Sequence, residues 1–481
     1  MARVDKQSVR DEFDKIKSSF QEQVAAGKVS TEVAALFNML MMLFNIILAI
    51  FMEKSTKKTS ANSSIPPSQT PPDDTSTTKS KSQTEEDKDK PKVTVVGNTR
   101  TVETVTVLPV LTCDRCDKDL SCFACECVER RTKIDIIFEK TVEHVDAEVK
   151  QCPACNNTVK AKFPDDMPGP LQYGNGIKAY VIQLLVAQMI SLNRVIDMVT
   201  AFIGRTISEA TLLNYVMRLY LALESWENQA KLELMTAQCI HVDETSLRVD
   251  KKNYWIHVYS SGDITIKFLH EKRGKEAIEH IKIIPFYGGI IIHDCWASYL
   301  SYGHLEHGLC GSHLLRELTF IIDSNSYRWA KKMKRLLQKV CKMVSRRKEK
   351  CLTEDEHLKL QRLYKKILAA GKTEMPPIPE KTTKRRGKVA KSDAHNLWER
   401  FEKYESSVLL FAKHPHVPFT NNRAERDLRM TKVKQKISGC FRTEKYAKAY
   451  CRISSYLQTM KNKDINPLVA VSMALHGNFE I

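Results

Sequence analysis

Three acidic residues stand in settings where carboxylates do metal chemistry. Asp243 closes the apolar run QCIHVD, Asp294 closes YGGIIIHD, and Glu425 lies in the helix-like stretch NNRAERDLR. Two Mg²⁺ ions about 3.5–4 Å apart need several hard oxygen ligands, which no single acid can supply. Acids at the ends of two strands and on a later helix can converge at one edge of a mixed sheet. In that arrangement Asp243 bridges both ions, Asp294 holds one and Glu425 completes the other. Taken singly, each acid is more often a surface charge than a ligand, and Glu244, Asp250 and Asp427 are rivals.

A second constellation is soft rather than hard. Cys113-x-x-Cys116 and Cys152-x-x-Cys155 have the spacing of two chelating knuckles that close a tetrahedral zinc site. Four thiolates leave no open coordination position, so such a zinc is structural. Cys122, Cys125 and Cys127 lie between the knuckles, and a ligand set using Cys122 and Cys125 stays open. Seven of the 14 cysteines fall between Cys113 and Cys155. The N-terminal MARVDKQSVRDEFDKIK has neither the apolar stretch nor the cleavage site of a signal peptide, so a reducing cytosol is expected, where clustered Cys means metal more often than disulfide.

The net charge of +18, with a pI near 9.2, favours a polyanionic partner. Lys and Arg laid on phosphates release condensed counterions, which makes nucleic acid the first expectation and an anionic membrane the second. The bland alternative is a set of solvated Lys-rich helix faces.

At 481 residues the chain exceeds one ordinary core, and the elements that position these groups divide into modules of a multidomain α+β protein. Residues 1–52 read as a helical, coiled-coil segment. Within it TEVAALFNMLMMLFNIILAIFM is long enough to span a bilayer, but Asn38 and Asn45, seven apart, suit a self-associating helix better. Residues 53–92 read as a disordered linker, being polar and without aromatics. The zinc-binding module covers 93–165 and opens on TVETVTVLPVLTC, which alternates like a strand. Residues 166–236 are helical, with a junction at Gly204 and a cap at Ser208, as a helix-turn-helix or a small bundle would be. From 237 to 323 the order is three strands, a helix, a fourth strand and a helix. A helical insertion follows over 324–415, and 416–481 holds the second part of the core and a C-terminal segment. An Asp on a first strand, an Asp after a fourth and a Glu on a helix beyond an insertion is the order of the ribonuclease-H-like nucleotidyl transferases, a mixed α/β core.

At HVDET, residues 241–245, the chain resembles the transposases of the insertion sequence 66 family. The resemblance runs through SANSSIPPS, VKQCPAC with the FP after it, LQYGNGIKAYVIQLLVAQ, HVDET, DCWASY, the Cys310-x-x-His313 pair with Arg316, and NNRAERDLR. It implies an acid triad of Asp243, Asp294 and Glu425 holding two Mg²⁺ or Mn²⁺ ions, beside a structural Zn²⁺. It further implies cleavage at the ends of a mobile element and strand transfer into target DNA. The partners so implied are double-stranded DNA (terminal inverted repeats and target), further copies of the chain and accessory transposition proteins, in a prokaryotic, nucleoid-associated setting. Arg426 and Arg429 flank Glu425 as phosphate contacts or as helix ion pairs. Cys310 and His313 are too few to hold zinc, so with Arg316 they are read as positioning DNA or packing the site. The rival reading is a non-catalytic, zinc-containing DNA-binding regulator derived from such an enzyme, against which the intact triad argues.

Overall fold

The structure, a computed structural model, describes residues 6–56, 58–63, 104–134, 139–378 and 391–479. Most of the expected linker, 64–92, lies outside these residues. Helix α1 (Lys6–Ala25) and α2 (Thr31–Ser55) pair antiparallel, with Phe13 stacked on Phe44 and Phe20 on Phe37. Ser30 starts α2 by accepting a bond from Val33 N at 3.4 Å. The stretch Thr31–Lys54 is long and apolar enough to cross a membrane by length and composition, and it leaves Leu36, Met39, Leu40 and Ile47 exposed. At its end the buried Glu53 turns inward, accepting bonds from Ala394 N at 2.9 Å, from Asp393 N and from Asn325 Nδ2 at 3.2 Å.

The alternation before Cys113 does not become a strand. Residues 104–111 are irregular, Val105, Val107 and Val110 stand in solvent, and Pro109 lacks a donor; the first pairing is the isolated bridge Thr112–Asp119. An alternating pattern forms a strand only where a neighbour buries one face, and none of the described residues does so here. Two short antiparallel strands, β1 (Val149–Gln151) and β2 (Thr158–Lys160), follow. Helix α3 (Asn175–Ile182) runs on into a π-helical turn, Gln183–Ala187. Helix α4 (Leu192–Ile203) ends on left-handed Gly204 (φ 76°), a conformation that suits a residue without Cβ. Helix α5 (Glu209–Ala222) begins at Ser208, whose hydroxyl accepts from Thr211 N, and α6 (Glu224–Thr236) leads to the sheet.

The sheet is built from β3 (Cys239–Val249), β4 (Lys252–Ser261), β5 (Ile264–His270), β6 (Ile290–His293) and β7 (Glu306–Leu309), with α7 (Lys275–Ile281) and α8 (Ala297–Leu300) between strands. Its order is β5-β4-β3-β6-β7; β3, β4 and β5 are antiparallel neighbours, while β6 and β7 run parallel to β3. The expected strands, helix and strand are there. The fifth strand, EHGL, is four residues long and contains a Gly, too short for a periodic signal. Ile240 and Val242 on one face of β3, and Leu247 on the other, are buried, each such side chain stabilising by roughly 1.5–3 kcal/mol.

Five helices follow: α9 (Gly311–Asn325), α10 (Arg328–Arg346), α11 (Glu354–Glu374), α12 (Asp393–Lys403) and α13 (Glu405–Lys413). In α10, Trp329, Met333, Leu336, Leu337, Val340 and Val344 form a stripe at helical spacing, buried in the core shared by these helices. Lys331, Lys332, Arg335 and Lys339 stay exposed on the same helix. Helix α11 starts with a reciprocal box, Thr353 and Glu356 each bonding the other's backbone. The last elements are α14 (Asn422–Ser438), α15 (Glu444–Asn462) and α16 (Pro467–Leu475).

The chain forms two compact units, one of residues 1–88 with 227–451 and one of 89–226 with 452–481. The first holds the sheet, α1, α2 and the insertion helices. In the second, α16 packs on α3 and α5, Tyr456 meets Trp226 edge-on at 5.2 Å, and Arg452 lies 4.1 Å over Tyr220.

Candidate active site

Asp243 sits in the middle of β3, opposite Val258 of β4, and not at a strand end as the apolar run suggested. Pairing continues through Val249 because the residue after it, Glu244, is accommodated inside. Glu244 Oε1 accepts from Arg273 Nε and Nη2 at 2.9 and 2.8 Å, and its Oε2 from Tyr299 Oη at 2.8 Å. The Arg273 guanidinium lies between two indoles, 4.9 Å from Trp255 and 4.6 Å from Trp296. With both oxygens bonded, Glu244 is committed to this network, although burial still holds its pKa above the usual carboxylate range. Asp243 points to the other side of the strand, since successive side chains alternate.

The other rivals are placed as plainly. Asp427 is buried and its Oδ2 accepts from Ser260 Oγ at 2.8 Å, Thr265 Oγ1 at 2.7 Å and Arg423 Nε at 3.0 Å, pinning α14 to β4 and β5. Asp250 is an exposed turn residue with φ 46°.

Asp243 is charged with difficulty. Burial, and then the carboxylates of Glu244, Asp294 and Glu425, push its pKa up to about 8, against which the bond from Glu244 N at 2.8 Å is a partial offset. Asp294 follows β6 directly, and Glu425 is in the first turn of α14. The three acids thus come from a central strand, the strand beside it and a helix packed across β3. They are electrostatic neighbours. Among the described residues, though, the one trio of potential ligands lying within 4.8 Å of one another is Cys310, His313 and Glu425.

A polar tie sets the start of α14. Asn421 Nδ2 donates to Val242 O at 2.8 Å, its Oδ1 accepts from His241 Nδ1 at 2.9 Å, and its backbone N–H reaches Cys310 Sγ at 3.2 Å. Gly311 N donates to Phe419 O at 2.7 Å, and a Cβ on Gly311 would lie 2.2 Å from the Phe419 ring. Only glycine permits that approach. His313, one turn into α9, places Nδ1 3.6 Å from Glu425 Oε1. Burial disfavours its charged form, yet Cys310, Glu425 and Asp294 outweigh burial and raise its pKa.

Arg426 and Arg429 are exposed on α14, and Arg426 comes no nearer than 3.9 Å to Asp427. Arg316 is half-buried on α9. The sequence reading passed over Arg400 of α12, which pairs with Glu317 and feels Asp294, and Arg273; nothing in their local sequence marks either.

The two Cys knuckles adopt the same turn. Cys113 N bonds Lys118 O and Asp117 N bonds Cys113 O; Cys152 N bonds Asn157 O and Asn156 N bonds Cys152 O. Asp117 and Asn156 are both left-handed, at φ 52° and 55°. Backbone N–H groups, those of Arg115 and Cys116 at one knuckle and Ala154 and Cys155 at the other, lower the Cys113 and Cys152 pKa. No three thiols lie within 4.8 Å of one another among the described residues.

Fold and site together define a mixed α/β protein with Asp243 and Glu244 on the central strand of its sheet and Asp294 and Glu425 on the elements beside it. A model of the transposase IS66 family matches residues 170–449, more than half of the chain, and the chain belongs to that family. Membership carries a transposase role, with DNA as the partner and divalent metal as the class of cofactor. No curated protein matches the chain.

Proposed function

We propose that the chain is a DDE transposase in which Asp243, Asp294 and Glu425 hold two divalent ions, Mg²⁺ or Mn²⁺, for cleavage of element ends and strand transfer into target DNA. The observation that carries this reading is Asp243 on the central strand, a carboxyl whose pKa is raised by burial and by the nearby carboxylates of Glu244, Asp294 and Glu425. Its donor set fits the ions: carboxylate oxygens are the ligands that hard Mg²⁺ and Mn²⁺ select. Bound there, the ions supply Lewis-acid activation of the attacking oxygen and neutralise charge on the leaving one. The protein's own part is placement. The Asn421 tie fixes the start of the Glu425 helix against the strand of Asp243, and Arg426, Arg429, His313 and Arg316 are assigned to hold the DNA backbone.

A ribonuclease-H-like core is supported by the sheet, in which three antiparallel strands are extended on the far side of the first by two parallel ones. The proposed modules are those of the sequence: 1–52, 53–92, 93–165 and 166–236 before a core of 237–323 and 416–481 that the 324–415 helices interrupt. The matching turns support each Cys-x-x-Cys pair as half of a structural Zn²⁺ site on Cys113, Cys116, Cys152 and Cys155, which closes when the two pairs are drawn together. Exposed Leu36, Met39, Leu40 and Ile47 on α2 support assembly into homo-oligomers.

The test is incubation of the purified chain with labelled terminal repeats and Mg²⁺. Asp243→Asn, Asp294→Asn and Glu425→Gln are each expected to abolish nicking and joining while DNA binding stays within a few-fold. Wild-type protein that binds the repeats and never cuts them would instead favour the regulator.

A further inference from the structure

Cys310, His313 and Glu425 form a ligand set of a different character from the three acids. Their donor atoms lie within 4.8 Å of one another, and two of them, His313 Nδ1 and Glu425 Oε1, are buried without a hydrogen-bond partner. Buried polar atoms rarely stay unpaired. At 3.6 Å the two are too far apart to bond each other. That separation matches neighbouring ligands of one tetrahedral ion: Zn–N and Zn–O bonds of about 2.0–2.2 Å put two such atoms roughly 3.3–3.6 Å apart.

The third donor is held in place. Cys310 is buried, immediately precedes α9, and receives the Asn421 N–H on its sulfur, which fixes the sulfur's position. Sulfur, imidazole and one carboxylate oxygen are not a Mg²⁺ set; they suit a borderline, thiophilic divalent ion and leave its fourth position open.

We infer that Cys310, His313 and Glu425 form a binding site for a thiophilic divalent cation of the Zn²⁺ class, and that filling it withdraws Glu425 from the Asp243–Asp294 pair and inhibits the enzyme. The inhibitory half rests on the assignment of Glu425 proposed above; the binding half does not. Glu425 then answers to two metals, and the ratio of free Zn²⁺ to Mg²⁺ sets the fraction of chain able to cut DNA.

The probe is Co²⁺ added to the full chain without DNA, with the wild type compared with Cys310→Ser, His313→Gln and Asp243→Asn. All four share the knuckle cysteines, and wild type, Cys310→Ser and His313→Gln also share the three acids, so differences among those three isolate this site. Wild type is expected to bind one more Co²⁺ per chain than Cys310→Ser, and both wild type and Asp243→Asn should show a stronger thiolate-to-cobalt charge-transfer absorption than Cys310→Ser. His313→Gln, which keeps the thiol, should lose the same ion, and thermal unfolding of each variant reports whether it is folded. In cleavage assays, Zn²⁺ should inhibit Cys310→Ser at concentrations at least about tenfold higher than wild type. Equal cobalt stoichiometry and spectra in wild type and both site variants would overturn the inference. Because that readout needs no cleavage, a failed triad, seen as an Asp243→Asn protein that still cuts, is told apart from a failed cation site.

Discussion

Metal binding at Asp243 should be driven by pH. With its pKa raised from 3.8 to about 8, Asp243 is neutral in the metal-free protein over most of the working range. A carboxyl must lose its proton to ligate, so each bound ion set displaces that proton. Well below pH 8 the apparent affinity is therefore expected to fall about tenfold per pH unit, so that it is about fiftyfold weaker at pH 6 than at pH 8, and to level off above. Stability follows the same linkage. The folded pKa of this acid lies above its unfolded value, so the metal-free protein keeps the group's contribution below pH 3.8 and loses it as pH rises towards 8; bound metal restores it. Calorimetric titration with Ca²⁺ at pH 6.5, in two buffers of different ionisation enthalpy, counts the protons released. About one per chain is expected at pH 6.5, fading above pH 9, and the signal should vanish in Asp243→Asn. Glu244 also titrates high, but Arg273 and Tyr299 occupy its oxygens and the Asn variant separates the two. Binding at pH 6.5 with no proton release would refute the reasoning.

Three further outcomes follow from named contacts. Gly311→Ala drives a methyl into the Phe419 ring and should cost about 1–3 kcal/mol, read as a lower unfolding temperature, with cleavage impaired because the start of α14 shifts; unchanged melting would contradict the close approach. Replacing Lys331, Lys332, Arg335 and Lys339 by Gln tests whether the exposed basic face of α10 lies on DNA: if it does, the slope of log affinity against log salt should shallow by roughly 3 to 4 units. Glu53→Ala leaves the N–H groups of Asp393 and Ala394 without their acceptor, and denaturant unfolding should show a loss of about 1–2 kcal/mol, which Glu53→Gln should partly recover.

Much of the sheet could be read from periodicity, because β3, β4, β5 and β6 are long or apolar enough to show their period. Gly204 and Ser208 marked helix ends by backbone chemistry that acts locally. The sequence misplaced what depends on distant partners. Asp243 looked like a strand terminus because Glu244 beside it is charged, and only Arg273 and Tyr299, 29 and 55 residues away, explain how a carboxylate can enter the core there. The Val/Thr alternation before Cys113 failed for the opposite reason, having no neighbour to pair with. Cys310 and His313 looked like an incomplete ligand pair because their third member is over a hundred residues further along, beyond the insertion.

The contacts of Gly311 with Phe419 and of Cys310 with Asn421 join the two sides of that long excursion at its base. The helices α9 to α13 also share a core with Ile290, Ile292 and Leu309 of β6 and β7, so the excursion is fastened along the sheet edge as well as at its base. Lengthening a loop whose ends are already fastened adds entropy only logarithmically. Extra residues are therefore tolerated best in the connections between these helices, whereas the helices themselves cover β6 and β7 and cannot be exchanged without moving the strand that carries Asp294.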